Sequence, residues 1–395
     1  MVTANQNKIE KEVFHMDFLL SGIQGIIDHP EYIIMYLIGA LLIYLAIVRD
    51  LEPALLLPMG FGAILVNLPA SGVLTQQLTE DIAATGIIEW LFNVGIEASE
   101  AMPLLLFIGI GAMIDFGPLL ANPKMFLFGA ASQFGIFVAI FVAGLMGFAL
   151  NDAAAIGIIG AADGPTAILV ANVLNSKYMG AIAVVAYSYM ALVPIVQPAV
   201  IKALTTKKER CIHMAYRQNT VSQRAKIIFP IIVTFVAGLV APTSVSLVGF
   251  LMFGNLLREC GVLGNLSGTA QNVLASLVTL LLGITISFSM KAEAFVNAQT
   301  LMILVIGLAA FVFDTAAGVL FAKLINLFSK NKVNPMIGAA GISAFPMSAR
   351  VVQKLALKED PTNILIMQAT GTNVSGQIAS VVAGGVILNL VTAML

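Results

Sequence analysis

A carboxylate and a Gly-Pro pair stand in the middle of a long apolar run, Gly157-Ile-Ile-Gly-Ala-Ala-Asp163-Gly-Pro-Thr166-Ala-Ile-Leu-Val-Ala171. An ionised Asp in hydrocarbon is costly unless it is paired or holds a cation, so such a residue marks function. Pro165 has no N–H and disfavours helix at the residue before it, so the run is expected to break at Gly164. Broken helices at membrane depth occur only where they line a cavity or are buried in protein, and there their free carbonyls can bind cations. The stretch reads as an ion site.

The rest of the chain has the composition of a membrane protein. Of 395 residues, 59% are hydrophobic and only 10% charged, with a mean hydropathy of +0.96. Soluble domains carry about 25% charged residues, so this chain belongs to the polytopic class. At ~20 residues per crossing the apolar runs supply about nine to eleven spans of an all-α fold. The net charge of −1 gives no reason to expect nucleic acid. Cys211 and Cys260 stand in no ligand spacing and read as free thiols. No cleavable signal is evident before residue 28, and the stretch holding Lys8, Lys11 and Phe14 to Ile27 is expected to be an interfacial helix.

Between residues 202 and 226 the character changes. Seven basic residues (Lys202, Lys207, Lys208, Arg210, Arg217, Arg224, Lys226) face a single acid, Glu209. The positive-inside rule places this loop in the cytoplasm, with Lys330-Asn-Lys332 on the same side. The chain divides accordingly into an N-terminal amphipathic segment and first span (1–50), a first membrane repeat (51–202), the basic loop (203–226) and a second repeat (227–395).

An internal echo supports two repeats. Ile159-Gly-Ala-Ala162 recurs as Ile337-Gly-Ala-Ala340, each followed by a proline (Pro165, Pro346) and a hydroxyl (Thr166, Ser348). An odd number of crossings per repeat would turn the copies upside down relative to each other. Inverted repeats with paired discontinuous helices form a secondary-transporter architecture, its ion site lying at the repeat interface near the midplane.

Four polar islands interrupt the apolar runs. Asp163 and Thr166 lie i,i+3 and share a face where helical. Tyr187-Ser188-Tyr189 has buried-tyrosine satisfaction as its ordinary reading. Asn334 to Arg350 sets oxygen donors beside helix breaks, which suits a hard cation such as sodium. There Arg350 either snorkels to the interface or grips a carboxylate with two prongs. Gly371-Thr-Asn373-Val-Ser375-Gly376-Gln377-Ile-Ala-Ser380 faces inward, for ion binding or for helix–helix hydrogen bonding. Asp115 and Asp314 are second-tier candidates within apolar runs, while Glu97, Glu100 and Glu293 read as interfacial. The chain has no Gly-x-x-x-x-Gly-Lys-[Ser/Thr] phosphate loop. Its three histidines, His15, His29 and His213, form no cluster. Energy must come from a partner or from an ion gradient.

At these residues the chain resembles the β subunits of the sodium-pumping biotin-dependent decarboxylases, which serve oxaloacetate, methylmalonyl-CoA, glutaconyl-CoA and malonate decarboxylases. The segments that carry the resemblance are Gly-Ala-Ala-Asp163-Gly-Pro-Thr166, Asn334-Pro-Met-Ile-Gly338, Gly-Ile-Ser343-Ala-Phe-Pro-Met-Ser-Ala-Arg350 and Gly-Thr-Asn373-Val-Ser-Gly376. Lesser similarity runs through Leu56 to Gly62 and Asp115 to Asn122, and the match extends from about Glu52 onward. The resemblance implies a multi-pass subunit of the bacterial cytoplasmic (cell inner) membrane that decarboxylates carboxybiotin and drives sodium outward, consuming a proton. It implies Asp163, Tyr189 and Arg350 in catalysis. It implies Asp163, Asn334, Gly338, Ser343 and Asn373 in sodium binding, with sodium the only metal, and the hydroxyls of Thr166 and Ser380 in the same polar islands are expected to join them. Its implied partners are a carboxyltransferase α subunit, a biotin carrier and a small membrane γ/δ subunit, with homo-oligomers inside the complex. Thr372 stands where the family usually has Pro after Gly, and Gln377 adds an amide where an apolar residue is common. No Met-Lys-Met biotinylation pattern occurs, so biotin arrives on another polypeptide, for which the basic loop is a docking place. The competing class is a plain sodium/proton antiporter on the same repeats, which avidin would leave untouched.

Overall fold

The computed structural model describes residues 22–69, 71–79, 82–98, 100–214, 221–240 and 242–394. Lys8, Lys11 and Phe14 of the expected interfacial helix, and Arg217 of the basic loop, lie outside the described residues.

Two helices, α1 (Glu31–Arg49) and α2 (Pro53–Val66), open the bundle as a tight pair. A Cβ on Gly39 or on Gly60 would meet the other glycine's carbonyl oxygen at 2.7 Å, so only glycine permits this approach. A short antiparallel hairpin, β1 (Gln76–Thr79) and β2 (Ile82–Ala84), follows. Next come α3 (Ala101–Met113), α4 (Met125–Ala131) and α5 (Phe134–Leu145), the last two forming one rod interrupted at Ser132 and Gln133. Helices α6 (Leu150–Gly157) and α7 (Gly164–Val173) flank the Asp163 break, and α8 (Met179–Leu204) runs to the basic loop. The second half is built of α9 (Gln223–Val240), α10 (Val245–Glu259), α11 (Ala275–Ile286), α12 (Ala298–Phe328), α13 (Met347–Glu359) and α14 (Ile366–Met394).

Among the described residues, five helical stretches are long and apolar enough to cross a membrane, and two bent pairs raise this to seven. The sequence-based count is higher because it also takes in shorter apolar helices such as Pro53–Val66 and the two broken stretches. Large apolar side chains on the outer faces, among them Leu37, Phe141, Phe235 and Leu301, are exposed, as a lipid-facing surface requires.

Neither broken stretch crosses. Asn151 Nδ2 donates to the Leu174 carbonyl (3.2 Å) and Ser176 Oγ to Asp152 Oδ1 (2.7 Å), so residues 150–176 start and finish on one face. The helix α6, a 3₁₀ turn (Ile158–Ala161) and α7 therefore form a re-entrant hairpin whose tip is Ala162–Asp163. The second stretch enters and leaves at the basic face. Asn334 Nδ2 and Asn363 Nδ2, from its two ends, both donate to the Arg210 carbonyl, at 2.8 and 3.1 Å. Its arms are a short helix (Met336–Ala339) and α13. The tips meet head-on where the Ser343 N–H donates to the Ala161 carbonyl at 3.0 Å.

The same neighbour pattern occurs twice. As α1 packs on α2, so α9 packs on α10; α2 lies on α11 as α10 lies on α3; α8 lies on α12 as α14 lies on α4. Each half carries one π-helical turn at the matching place, Asn93–Glu97 and Ala270–Leu274. The halves are inverted. The C-terminal end of α8 carries Lys202 into the basic loop, whereas it is the N-terminal end of α14 that lies there, Gln368 Nε2 donating to the Met214 carbonyl at 3.1 Å. The chain is an all-α polytopic membrane protein of two inverted repeats, with discontinuous helices meeting inside the bundle.

Candidate functional site

Asp163 caps the N-terminus of α7, its carboxylate accepting from the Thr166 N–H at 3.4 Å, with Pro165 in the first turn. Pro in a first turn sacrifices no helical hydrogen bond, and a carboxylate there complements the helix dipole. Local chemistry thus holds the charge at the tip. The Thr166 hydroxyl adds to this, and the other contacts come from elsewhere in the chain. Thr166 Oγ1 donates to Asp163 Oδ2 at 2.8 Å, Ser380 Oγ of α14 at 2.7 Å and Gln377 Nε2 at 3.3 Å. The Ser343 hydroxyl approaches the same carboxylate from the opposite tip without completing a hydrogen bond. All five residues are buried.

Asn373 stands one turn along α14 from Gln377. Its Nδ2 donates to the Ile342 carbonyl at 2.7 Å, while its buried Oδ1 has no partner among the described residues. Gly376 lets α14 pass the second tip: a Cβ there would stand 3.1 Å from the Ile342 carbonyl oxygen and closer still to Gly341. Across the tip, Gly164 gives room to Tyr187, whose ring would lie 2.5 Å from a Cβ and whose buried hydroxyl has no partner among the described residues. A carboxylate, hydroxyls and an uncommitted amide oxygen, with no basic side chain paired to Asp163 among the described residues, form a donor set that fits a hard monovalent cation. Such a centre can also hold a proton on the carboxylate.

The structure thus gathers Asp163, Thr166, Ser343, Asn373 and Ser380. Four other residues named from the sequence lie apart. Asn334 fastens the base of the second hairpin: besides its two donations to the basic loop, its Oδ1 accepts from the Met336 N–H at 3.0 Å. Gly338 is a crossing point, where α12 passes so close that a Cβ would collide with the Gly318 carbonyl. Arg350 is exposed on the first turn of α13, within electrostatic reach of Glu52. Tyr189 donates its hydroxyl to the Leu304 carbonyl and packs at Gly307 of α12, facing away from Asp163. Two residues along a helix turn the side chain by about 200°, so only one tyrosine of the Tyr187-Ser188-Tyr189 triplet can face the tip. It is Tyr187. The second-tier Asp115 is paired with Lys226 at 3.1 Å.

Two contacts were harder to read in the sequence. Gln377 looked like a departure from a pattern, yet it is a direct partner of Asp163. Gln197, between Pro194 and Pro198, binds the second hairpin, Nε2 donating to the Ala339 carbonyl and to Ser348 Oγ, both at 2.6 Å. An amide between two prolines in an apolar helix was its only signal.

Inverted repeats, two opposed re-entrant hairpins and a buried carboxylate where they meet define a membrane protein of the ion-transporting class. Comparison with known proteins narrows this. Residues 31–391 match the family described as the Na+-transporting oxaloacetate decarboxylase beta subunit, and the chain belongs to that family. It is 49% identical over 378 residues to the methylmalonyl-CoA decarboxylase subunit beta of Propionigenium modestum, covering 91% of this chain and 94% of the relative. It is 48% identical over 383 residues to the glutaconyl-CoA decarboxylase subunit beta of Acidaminococcus fermentans, covering 95% and 99%. The oxaloacetate decarboxylase beta chain of Klebsiella pneumoniae is 45% identical over 414 residues, covering 91% and 95%. The chain is the membrane subunit of a sodium-transporting decarboxylase complex.

Proposed function

We propose that this subunit decarboxylates carboxybiotin brought by a separate biotin carrier and uses the released free energy to move sodium outward across the bacterial cytoplasmic membrane, consuming one proton. The observation that carries this reading is the meeting of the two hairpin tips at Asp163, with Thr166, Ser380 and Gln377 on its Oδ2 and the Asn373 Oδ1 uncommitted. Sodium is the cargo. Asp163 supplies the charge that draws it out of water, and the hydroxyl and amide oxygens replace its hydration shell. The hydroxyls of Thr166 and Ser380 turn from donors to the carboxylate into ligands beside it.

Arg350 takes a different part. Exposed on the basic-face arm of the second hairpin, it is placed to receive the carboxylate of carboxybiotin before the ion site is reached. The first turn of α13, which carries it, adds the positive end of a helix dipole. Tyr187, facing the tip, is better placed than Tyr189 to exchange a proton there. The basic loop, folded back by Asn334 and Asn363, is the docking place for the carrier. The carboxyltransferase α subunit and the small γ/δ subunit complete the complex, in which this chain also forms homo-oligomers.

The test uses the purified chain in liposomes, supplied with a carboxylated biotin carrier. CO2 release should be stimulated by sodium, blocked by avidin and lost in Asp163→Asn. Sodium/proton exchange with no CO2 release would transfer the chain to the antiporter class.

A further inference from the structure

A second carboxylate is enclosed in the bundle away from the sodium centre. Asp314, on α12, is completely buried. Its Oδ1 accepts the Gly135 N–H in the first turn of α5, the twelve-residue half-rod that begins after Ser132 and Gln133, and the Ile136 N–H lies beside the same carboxyl group. Its Oδ2 is equally buried and has no hydrogen-bond partner among the described residues. That bare oxygen is aimed at the first hairpin: a Cβ on Gly160 would stand 2.8 Å from it and 2.8 Å from the Ala310 methyl. Gly160 lies three residues before Asp163.

The elements packed on α12 bring no charge to this oxygen. Helices α4 and α5 and the turns Ile158–Ala161 and Met336–Ala339 contain no titratable side chain. On α6, Asp152 is engaged by Ser176; on α8, Tyr189 is bound to Leu304, Tyr187 lies against Gly164 and Lys202 is exposed; on α12 itself, Lys323 pairs with Glu209. Among the described residues Asp314 has no ion-pair partner. The only hydrogen bond that α5 makes to this carboxylate among the described residues is to Oδ1, and an uncompensated buried carboxylate oxygen is too costly to leave bare. A sodium ion would need several further oxygen ligands, whereas what stands beside Oδ2 at Gly160 is a Cα without a side chain and the Ala310 methyl. A proton needs none.

We propose that Asp314 is a proton-binding site separate from Asp163: its carboxylate takes up one proton, forming an O–H bond at Oδ2, and exchanges it as the first hairpin shifts. Gly160 makes the link, because any displacement of the tip that accompanies sodium at Asp163 changes the wall against Oδ2. The protonation stands on the geometry of Asp314 alone, whereas its coupling to sodium rests on the proposed role of Asp163.

Infrared spectroscopy of the full chain in liposomes, in sodium and then in potassium, tests both. Wild type should show a carboxylic acid C=O band that shifts in D2O and on selective ¹³C labelling of aspartate. Asp314→Asn should lose it, and Gly160→Ala, which crowds Oδ2, should move it. Should Asp314→Asn fail to fold, the labelled wild type and Gly160→Ala still give the answer. Asp163→Asn should keep the band and lose its sodium-dependent shift. A wild-type spectrum with no aspartic acid band, or a band untouched by both Asp314→Asn and Gly160→Ala, overturns the proposal. A band indifferent to sodium upholds the proton site and overturns the coupling.

Discussion

The two hairpins share a motif and differ in almost everything that does chemistry. Ile159-Gly-Ala-Ala162 leads to Asp163, while Ile337-Gly-Ala-Ala340 leads to Gly341. The first hairpin is buried along nearly its whole length, and its returning arm α7 carries no charge. The second returns along α13, which carries Arg350, Lys354 and Lys358 and is joined to the basic loop by an Arg210–Glu359 pair at 3.1 Å. Duplication supplied two opposed tips; divergence put the carboxylate in one and the water-accessible basic arm in the other. The repeat explains where the site is, and the difference explains what it handles.

The largest expected effect comes from exchanging what the tips carry. Asp163→Asn keeps shape and removes charge, and sodium-stimulated CO2 release should be lost, falling by more than the roughly 100-fold that even an outer-shell partner of a metal site can cost. The converse change cannot be made. A Cβ on Gly341 would collide with Ser132 Oγ and lie 2.7 Å from the Phe128 carbonyl oxygen. Gly341→Ala should therefore cost about 1–3 kcal/mol of overpacking, read as a lowered melting temperature in detergent. Normal melting of that variant would break the comparison, since the second tip would then be free to hold a carboxylate.

A smaller effect separates the partners of Asp163. Thr166→Ala and Ser380→Ala each remove one hydroxyl from a charged acceptor, worth about 1.5–3 kcal/mol and thus roughly 10- to 100-fold in sodium half-saturation. Thr166→Ser should restore most of it. The two tyrosines divide differently. Tyr189→Phe should cost about 1 kcal/mol of stability, the lost bond to Leu304, with sodium dependence unchanged. Tyr187→Phe removes a hydroxyl with no partner, so stability should hold while the pH profile of CO2 release moves. The opposite pattern would return the proton-handling role to Tyr189.

These contrasts also show what the sequence could and could not tell. Asp163, its Gly-Pro break and the echo at Ile337 were legible because a charge and a proline in hydrocarbon have few explanations. The hydroxyls of Thr166, Ser343 and Ser380 and the amide of Asn373 were legible as oxygen donors near breaks. What could not be read was direction. Periodicity locates an apolar run but does not say whether it crosses or turns back, and that depends on contacts such as Asn151 to Leu174 and Asn334 to Arg210. Nor could spacing tell Tyr187 from Tyr189, because the rotation of α8 is set by Gly164 and Gly307 on its neighbours. Asn334 and Gly338, polar or small beside a break, read as ligands in sequence; their places in space, at the base of the hairpin and where α12 crosses it, could not be read there.

The smallest effect lies at the bases of the hairpins, where the two are most alike. Each base is closed by an aspartate: Asp152 accepts from Ser176 Oγ and from the Lys177 N–H, while Asp360 accepts from the Thr362 hydroxyl (2.7 Å) and N–H (2.9 Å) and pairs with His213 at 2.8 Å. The Thr362 hydroxyl and amide, and then His213, hold the Asp360 carboxyl down from its ordinary 3.8 to about 2. A carboxylate whose value is lowered on folding adds stability that is complete above its ordinary value and disappears as pH falls through the lowered one. Asp360 should therefore keep the base of the second hairpin closed without change through the neutral range and release it only between about pH 4 and pH 2. Hydrogen exchange of the Thr362 and Asn363 amides reads this: Asp360→Asn should speed it several-fold at neutral pH and make no difference near pH 2. Because Asp360 is partly open to water and Asp152 is buried, Asp152→Asn should open its own base further than Asp360→Asn opens the other. Equal effects at the two bases would mean that burial adds nothing to the closure, and the contrast between a sealed hairpin and a water-facing one would fail where it is simplest to measure.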